Sequence, residues 1–337
     1  MDELQVGVIG TGTMGVTHIR AFSENPRARV VAACSKEPDR CRELAEQYDI
    51  ASVYDNAEDL IADTAVQAVC LATPDHVHAE DAIAAAKARK HILVEKPLAT
   101  TLHDAAAMVA IAHETDVLLM TQFSHRWIPS YHTVKQRIAS GETGRPLVVS
   151  ARKNNPRWVP TDLIGWASGT DPASFLSSHD IDLTLWWLED EPDRVYAQEV
   201  RSVLVDRGID TPDAIQAAVH FQGGAIATFE ACWVYPDTAP AVPDSYMHVV
   251  CQNETIKLLR EHEQVELMSD KFSYPRSTIV TELDGRLHGA LVCSLGHFVD
   301  CVLDGREPSI TPESSLMVTR ILDAIQRSMK TGQVVTF

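Results

Sequence analysis

Val6-Gly7-Val8-Ile9-Gly10-Thr11-Gly12-Thr13-Met14-Gly15 decides how this chain is read. A short apolar run enters a Gly-x-Gly-x-x-Gly turn and leaves into residues of helical period. Gly10 permits the tight turn, Gly12 lets a pyrophosphate approach the backbone, and Gly15 allows close packing of helix on strand, with the helix N-terminus facing negative charge. Alone the pattern is weak. Here it follows a strand, opens a helix and heads a βαβ pattern, so dinucleotide binding is preferred to a purely structural turn. Working outward, strands are expected at 5–9, 29–34, 68–72, 91–94 and 117–120, with a weak one near 53–54. Helices are expected between them at 14–24, 39–48, 77–89 and 102–114. Pro26, Pro38, Pro74 and Pro97 fall in the connections, where a missing backbone donor is harmless. The result is an α/β fold whose residues 1–124 form an N-terminal Rossmann domain, a doubly wound parallel sheet.

After Pro129 the pattern changes. A helix at 131–139 is followed by alternating segments at 147–152, 195–205, 214–221, 225–233, 247–251 and 255–259, with Gly223-Gly224 and Gln252-Asn253 as hairpin turns. Residues 125–337 therefore read as a C-terminal α+β domain with a large open, mostly antiparallel sheet. Helices at 288–303 and 312–329 close the chain, the last (about 312–330) free to pack back on the first domain. No internal repeat or low-complexity tract interrupts this order.

The 337 residues suit two domains, and 45% hydrophobic with 23% charged residues is a globular composition. Twenty-nine basic against 47 acidic residues give a net charge of −18, which repels phosphate backbones and anionic lipid. Nucleic-acid and membrane partners are not expected. The acidic start, Met1-Asp2-Glu3-Leu4, is not a signal peptide, and no apolar run approaches the ~20 residues of a membrane span. Seven scattered cysteines without a Cys-x-x-Cys pair read as reduced thiols, so a cytoplasmic location is expected. His76-x-His78 lacks a third ligand at metal spacing, and no metal is assigned.

The end of the second strand, Cys34-Ser35-Lys36-Glu37-Pro38-Asp39-Arg40, has a hydroxyl and two cations and no acid at positions 34–36. An acid there would bind the ribose 2′-hydroxyl of NAD, and basic residues would accept a 2′-phosphate. NADP(H) is favoured, with NAD(H) as the alternative because Glu37 and Asp39 lie close by.

Two further stretches are Ala72-Thr73-Pro74-Asp75-His76-Val77-His78 and His91-Ile92-Leu93-Val94-Glu95-Lys96-Pro97-Leu98-Ala99. With the first-strand glycine motif, Arg126, Pro129, His179-x-x-Asp182 and Phe298-Val299-Asp300, the whole chain resembles the Gfo/Idh/MocA family of NAD(P)-dependent oxidoreductases. The resemblance implies a nucleotide-binding domain and a second domain whose sheet walls the substrate site and forms a homodimer or homotetramer. It implies that Lys96 contacts the substrate oxygen near the nicotinamide, and that Glu95 and Pro97 hold that turn, the proline through an unusual peptide geometry. Cofactor contacts are expected from Gly10, Thr11, Gly12, Thr13, Met14, Gly15, Ser35, Lys36, Arg40, Thr73, Pro74, His76, His78, Glu95, Lys96 and Gln122.

Hydride transfer between a carbinol and nicotinamide needs a cation for the developing alkoxide and a proton relay near neutral pH. Lys96 suits the first and His179 the second. Apolar residues at 181, 185 and 188 start a helix near Ser178, and Asp182, three residues past His179, shares its face and could orient the ring. Relatives commonly carry Asp four residues before this histidine; here it is Phe175, and Asp171-Pro172-Ala173-Ser174 replaces a glycine-rich stretch. Trp158 and Trp166 read as loop aromatics able to face a sugar ring, Trp186-Trp187 as core, and Arg126, Lys153 and Arg157 as anchors for substrate hydroxyls or a carboxylate.

The expected activity is hydride transfer between NAD(P) and a hydroxyl or keto carbon of a sugar, inositol or related polyol. The Phe175 departure keeps open a redox-assisted glycoside-cleaving enzyme with bound nicotinamide. A non-catalytic dinucleotide-binding sensor is the third reading, one in which Lys96 and His179 would have no use.

Overall fold

The computed structural model of the chain describes residues 3–261, 263, 265–270 and 272–337; Met1 and Asp2, read above as an acidic leader into the first strand, lie outside the described residues. Contacts divide the chain into two compact units, Met1–Ser124 with Val280–Thr319, and His125–Ile279 with Arg320–Phe337.

The first unit begins β1 (Leu4–Ile9), α1 (Thr13–Ser23), β2 (Ala28–Cys34), α2 (Pro38–Tyr48), β3 (Ser52–Tyr54), α3 (Ala57–Ala62) and β4 (Ala68–Leu71). It continues α4 (His78–Lys87), β5 (His91–Val94), α5 (Leu102–Thr115) and β6 (Leu119–Thr121). The six strands are parallel in the order β3-β2-β1-β4-β5-β6, the doubly wound order whose direction reverses between β1 and β4. Strands covered on both faces need continuous apolar sequence, and Ala68, Val69, Cys70 and Leu71 of β4 are each at most 1% exposed. Ile61, Val94, Leu98, Met108 and Ala112 belong to the core on one face of this sheet. The short α3, not anticipated above, starts at Asn56, whose side chain caps the Asp59 N–H.

The second unit holds α6 (Pro129–Ala139), β7 (Pro146–Pro156), α7 (Ser178–Leu188), β8 (Pro192–Val200), β9 (Ala214–Phe221), β10 (Ile226–Tyr235), β11 (Asp244–Cys251), β12 (Thr255–Leu259) and the small pair β13 (Leu267–Met268) and β14 (Phe272–Ser273). The chain then returns to the first unit with the ribbon β15 (Thr281–Leu283) and β16 (Arg286–His288) and with α8 (Ala290–Asp304). The last helix, α9 (Pro312–Thr331), starts in the first unit and ends in the second, where β17 (Val335–Thr336) follows.

The seven-stranded sheet runs β12-β11-β7-β10-β9-β8-β17, antiparallel except for the parallel pair β7 and β10. Both hairpin turns lie where the sequence places them: Gly224 adopts φ +90 between β9 and β10, and Cys251 N–H donates to the Glu254 carbonyl between β11 and β12. The strand expected through residue 205 stops at Val200. The N–H groups of Val203 and Leu204 turn onto the Asp213 carboxylate, both at 2.8 Å, and leave the ladder.

Residues 280–319 join the first unit through charge and packing. Arg20 of α1 pairs with Glu282 at 2.7 Å, Leu287 N–H donates to Glu24, Arg27 meets Asp300 and Asp304 of α8, and Leu316 packs on the core beside α5. The second domain therefore does not run unbroken over 125–337. Leu316 of α9 packs on the core of the first unit, while Ser328 further along accepts the Ala197 N–H of β8.

The turn after β1 is the tightest point of the first unit. A β-carbon on Gly15 would lie 1.9 Å from the Gly10 carbonyl oxygen, and one on Gly10, at φ +98, would lie 2.6 Å from that of Ala72. Gly15→Ala should therefore lower unfolding stability by more than about 2 kcal/mol, measured by chemical denaturation; an unchanged midpoint would disprove this packing.

Candidate functional site

In the first unit, the carboxyl ends of β1, β4, β5 and β6 deliver the glycine loop, Thr73, Glu95 and Gln122 to one edge of the sheet. Gly12 precedes α1 without a side-chain cap, and open space faces it where a β-carbon would stand. The free first-turn amides of α1, the positive end of its dipole and this gap fit a pyrophosphate, so the residues present suit a dinucleotide. Thr11 Oγ1 and Ser35 Oγ lie 2.5 Å apart, and Ser35 also accepts the Glu37 N–H at 3.1 Å, tying the loop to the end of β2. Lys36 and Arg40 are exposed there. Each has an acidic neighbour: Arg40 lies 3.9 Å from Glu37, and the positive charge of Lys36 acts on Asp81, whose carboxyl burial pushes up to about 6.

The Glu95-Lys96-Pro97 turn is clamped from two sides, and the Lys96–Pro97 peptide is cis, the unusual geometry expected of it. His78, fully buried, lies 3.1 Å from the Pro97 carbonyl and 2.9 Å from that of Thr73, so one ring joins the two motif loops. Burial holds its imidazole below the ordinary value despite those carbonyls. Glu95, 8% exposed, receives the Lys96 N–H at 3.2 Å on one oxygen and lies 3.0 Å from His18 Nε2 on the other. Gln122 accepts Ser294 Oγ–H from α8 at 2.7 Å. His76 is half exposed beside Asp75.

In the second unit, His179 stands in the first turn of α7, as the sequence suggests, at the end of a π-helical turn over Ala173–Ser177. Its ring stacks on that of His125, with centroids 3.8 Å apart and an interplanar angle of 15°. His179 shares the helix with Asp182. Arg126 takes it through two bonds, Nε at 2.9 Å and Nη2 at 2.6 Å, with the two side chains 6% and 0% exposed. A guanidinium fork matches both carboxylate oxygens, which a single imidazole N–H cannot do. Arg126, expected as a substrate anchor, is buried and also lies 5.5 Å from the Trp186 ring.

Lys153 is placed similarly. It is 1% exposed and 2.5 Å from Asp180, with His125 Nδ1 3.5 Å away. Burial lowers its ammonium to about 8 against the pull of Asp180, while burial raises the Asp180 carboxyl. Burial first, then the positive charges of His179, Lys153, Arg260 and Arg276, hold His125 well below the ordinary histidine value. Phe175 supplies packing: its ring lies 5.6 Å from Trp233 and 6.0 Å from Trp166. Trp158 is half buried with its backbone N–H on Asp237, Arg157 pairs with the same carboxylate at 2.9 Å, and Trp187 is core at 1% exposed. Sequence reasoning missed His125 and Asp180; the only signal was their position next to Arg126 and His179.

Residues 4–123 match the family model described as "Oxidoreductase family, NAD-binding Rossmann fold", and residues 131–257 match the "GFO/IDH/MocA C-terminal domain". The chain belongs to the Gfo/Idh/MocA family. It is 27% identical to a myo-inositol 2-dehydrogenase of Thermotoga maritima over 97% of this chain and 96% of that one. It is 31% identical to a 1,5-anhydro-D-fructose reductase of Ensifer adhaerens over 66% and 67%. A scyllo-inositol dehydrogenase of Lactobacillus casei, solved with NAD(H) and scyllo-inositol, has the same fold at a TM-score of 0.84, with 17% identity over 99% of both chains. The family thus supplies an NAD-binding Rossmann domain, in agreement with the glycine loop. No described helix is long and apolar enough to cross a membrane.

Removing one partner of a buried pair strands the other charge. Arg126→Ala should cost about 3–5 kcal/mol of unfolding stability, and Arg126→Met with Asp182→Leu should recover much of it in urea denaturation. Equal losses in the single and double variants would show that the pair is not coupled.

Proposed function

We propose that the protein transfers hydride between a nicotinamide dinucleotide and a hydroxyl or keto carbon of a sugar, inositol or related polyol. The observation that carries this reading is the clamped Glu95-Lys96-Pro97 turn, which sets Lys96 on the same sheet edge as the glycine loop. The inositol and anhydro-sugar activities named for the relatives support the substrate class.

Nicotinamide, when bound, supplies the hydride acceptor or donor. In the oxidation direction His179 takes the hydroxyl proton while the Lys96 ammonium stabilises the oxyanion, and reduction reverses both roles. The glycine-loop amides hold the pyrophosphate, and His78 and Glu95 keep the lysine's backbone in place. Asp182 supports α7 through Arg126. The same relatives favour net redox over glycoside cleavage, and Lys96 with His179 favours catalysis over sensing.

A panel of inositols, sugars and keto sugars followed at 340 nm tests the reading: at least one member should consume or form free NAD(P)H. Lys96→Ala should lower kcat by about 10²–10³-fold or more with cofactor affinity kept, and near-normal turnover would remove Lys96 from the mechanism. Product formed without free NAD(P)H would instead indicate the glycoside-cleaving reaction.

Within this reading the cofactor is NADP(H), with NAD(H) accepted. The hydroxyl of Ser35 and the cations Lys36 and Arg40 support it, as does the lack of an acid at positions 34–36. Lys36→Asp should raise KM for NADPH at least tenfold more than KM for NADH, and equal effects would reject the preference. The assembly is a homodimer or homotetramer through the open sheet, whose outer face exposes Tyr196, Val200 and Ile226 by 39%, 59% and 43%. Seven free cysteines suit a reducing cytoplasm.

A further inference from the structure

Beneath the Lys96 turn lies a buried polar group whose histidine and cysteine the proposed chemistry does not use. His18 of α1 is fully buried, as is Cys70 of β4 to within 1%, and Glu95 at the end of β5 is 8% exposed. His18 Nδ1 is 3.1 Å from Cys70 Sγ, and Nε2 is 3.0 Å from Glu95 Oε1, an ion-pair distance off the line of a well-directed hydrogen bond. Elsewhere α1 turns apolar Ile19, Ala21 and Phe22 inward, so packing alone does not require an imidazole here.

We propose that His18 is a positioning residue for Lys96, taking up the charge of the Glu95 carboxylate so that this carboxylate does not capture the neighbouring lysine's ammonium. The inference rests on the reading that Lys96 acts on the substrate oxygen. Its basis is the set of charges facing Glu95. His18 comes from α1, Cys70 from β4, Asp75 and His78 from the segment entering α4, and Lys96 from the turn itself. His78 is kept neutral by burial, so among the described residues the cations facing Glu95 are His18 and Lys96. Burial opposes the His18 charge, but Cys70 and Glu95 outweigh it and raise its imidazolium to about 10, while the same contact holds the Glu95 carboxyl below its ordinary value. Two opposite charges at such range in a poorly solvated site attract strongly. With His18 charged, Glu95 is neutralised from behind; without it, the ammonium of the next residue is the remaining partner. The arrangement also joins the helix of the glycine loop to the turn that carries the lysine.

The test uses the full-length protein, with its cofactor affinity measured by fluorescence titration and kcat measured from pH 5.5 to 9. His18→Leu is expected to hold cofactor Kd within about threefold and to lower kcat ten- to a hundredfold at pH 8. Two features separate this from a merely structural loss. The deficit should shrink as pH falls, because Glu95 without its imidazolium partner takes up a proton at higher pH and releases Lys96. Adding Glu95→Gln to His18→Leu should restore at least tenfold of the lost kcat. If His18→Leu fails to fold, His18→Gln is the variant measured, with the same pH trend and rescue expected. A deficit constant across pH, or no rescue by Glu95→Gln, overturns the proposal. Lys96→Ala separates it from the reading beneath it: an active Lys96→Ala removes the role of Lys96 itself, whereas an inactive Lys96→Ala beside fully active His18 variants rejects only the role of His18.

Discussion

The carbonyl oxygen of Gly10 lies where any residue but glycine at position 15 would put its β-carbon, 1.9 Å away. This contact brings the first turn of α1 hard against the end of β1, while the Ala72 carbonyl fixes Gly10 from the neighbouring strand. The consequence for binding is direct. With no side chain at Gly12, the unpaired amides of the helix face open space at the topological switch between β1 and β4, where doubly wound sheets bind their ligands. The consequence for catalysis is less direct but follows from the same geometry. Once α1 is fixed in place, His18, one turn further on, reaches both Cys70 of β4 and Glu95 just past β5. The anion cradle and the lysine turn are thus two ends of one rigid helix placement.

Much of this first unit was legible in sequence for a physical reason. Parallel strands covered on both faces must be apolar throughout, and each is followed by a helix of 3.6 period, so the two signals alternate cleanly. What escaped was local or distant. The α3 helix is too short to show a period and depends on the cap at Asn56. Residues 203–205 are apolar enough for a strand, yet the Asp213 carboxylate, ten residues away, takes the backbone N–H groups that a ladder would need. The return of residues 280–319 to the first unit rests on pairs such as Arg27 with Asp300 and Asp304, separated by more than 270 residues. No window of sequence contains both partners.

The candidate site divides along the same line. Gly10, Gly12, Gly15, Glu95, Lys96 and His78 were visible because each lies in a short motif whose spacing carries its geometry. Side-chain partners were not. Helical spacing allowed Asp182 to serve His179, but spacing says only that two residues can meet; the bidentate guanidinium of Arg126 offers the carboxylate more than a second imidazole contact would. His179 stacks on His125, and Lys153, expected as a substrate anchor, is buried against Asp180. Phe175, where the family resemblance implies Asp, packs against Trp166 and Trp233 in an aromatic cluster.

Most of the net charge of −18 belongs to the surface. Three buried carboxylates each face a cation, Asp180 with Lys153, Asp182 with Arg126 and Glu95 with His18, each within 3.0 Å. Asp213 and Asp171 are held instead by N–H and hydroxyl donors. A carboxylate left alone in such surroundings would take up a proton, so the pairing sets its charge state as well as its position. It also explains how an acidic molecule can accept the phosphates of a dinucleotide. Glu95, near the cradle, is paired inward with His18, and the cradle itself offers backbone amides whose dipoles do not depend on net charge.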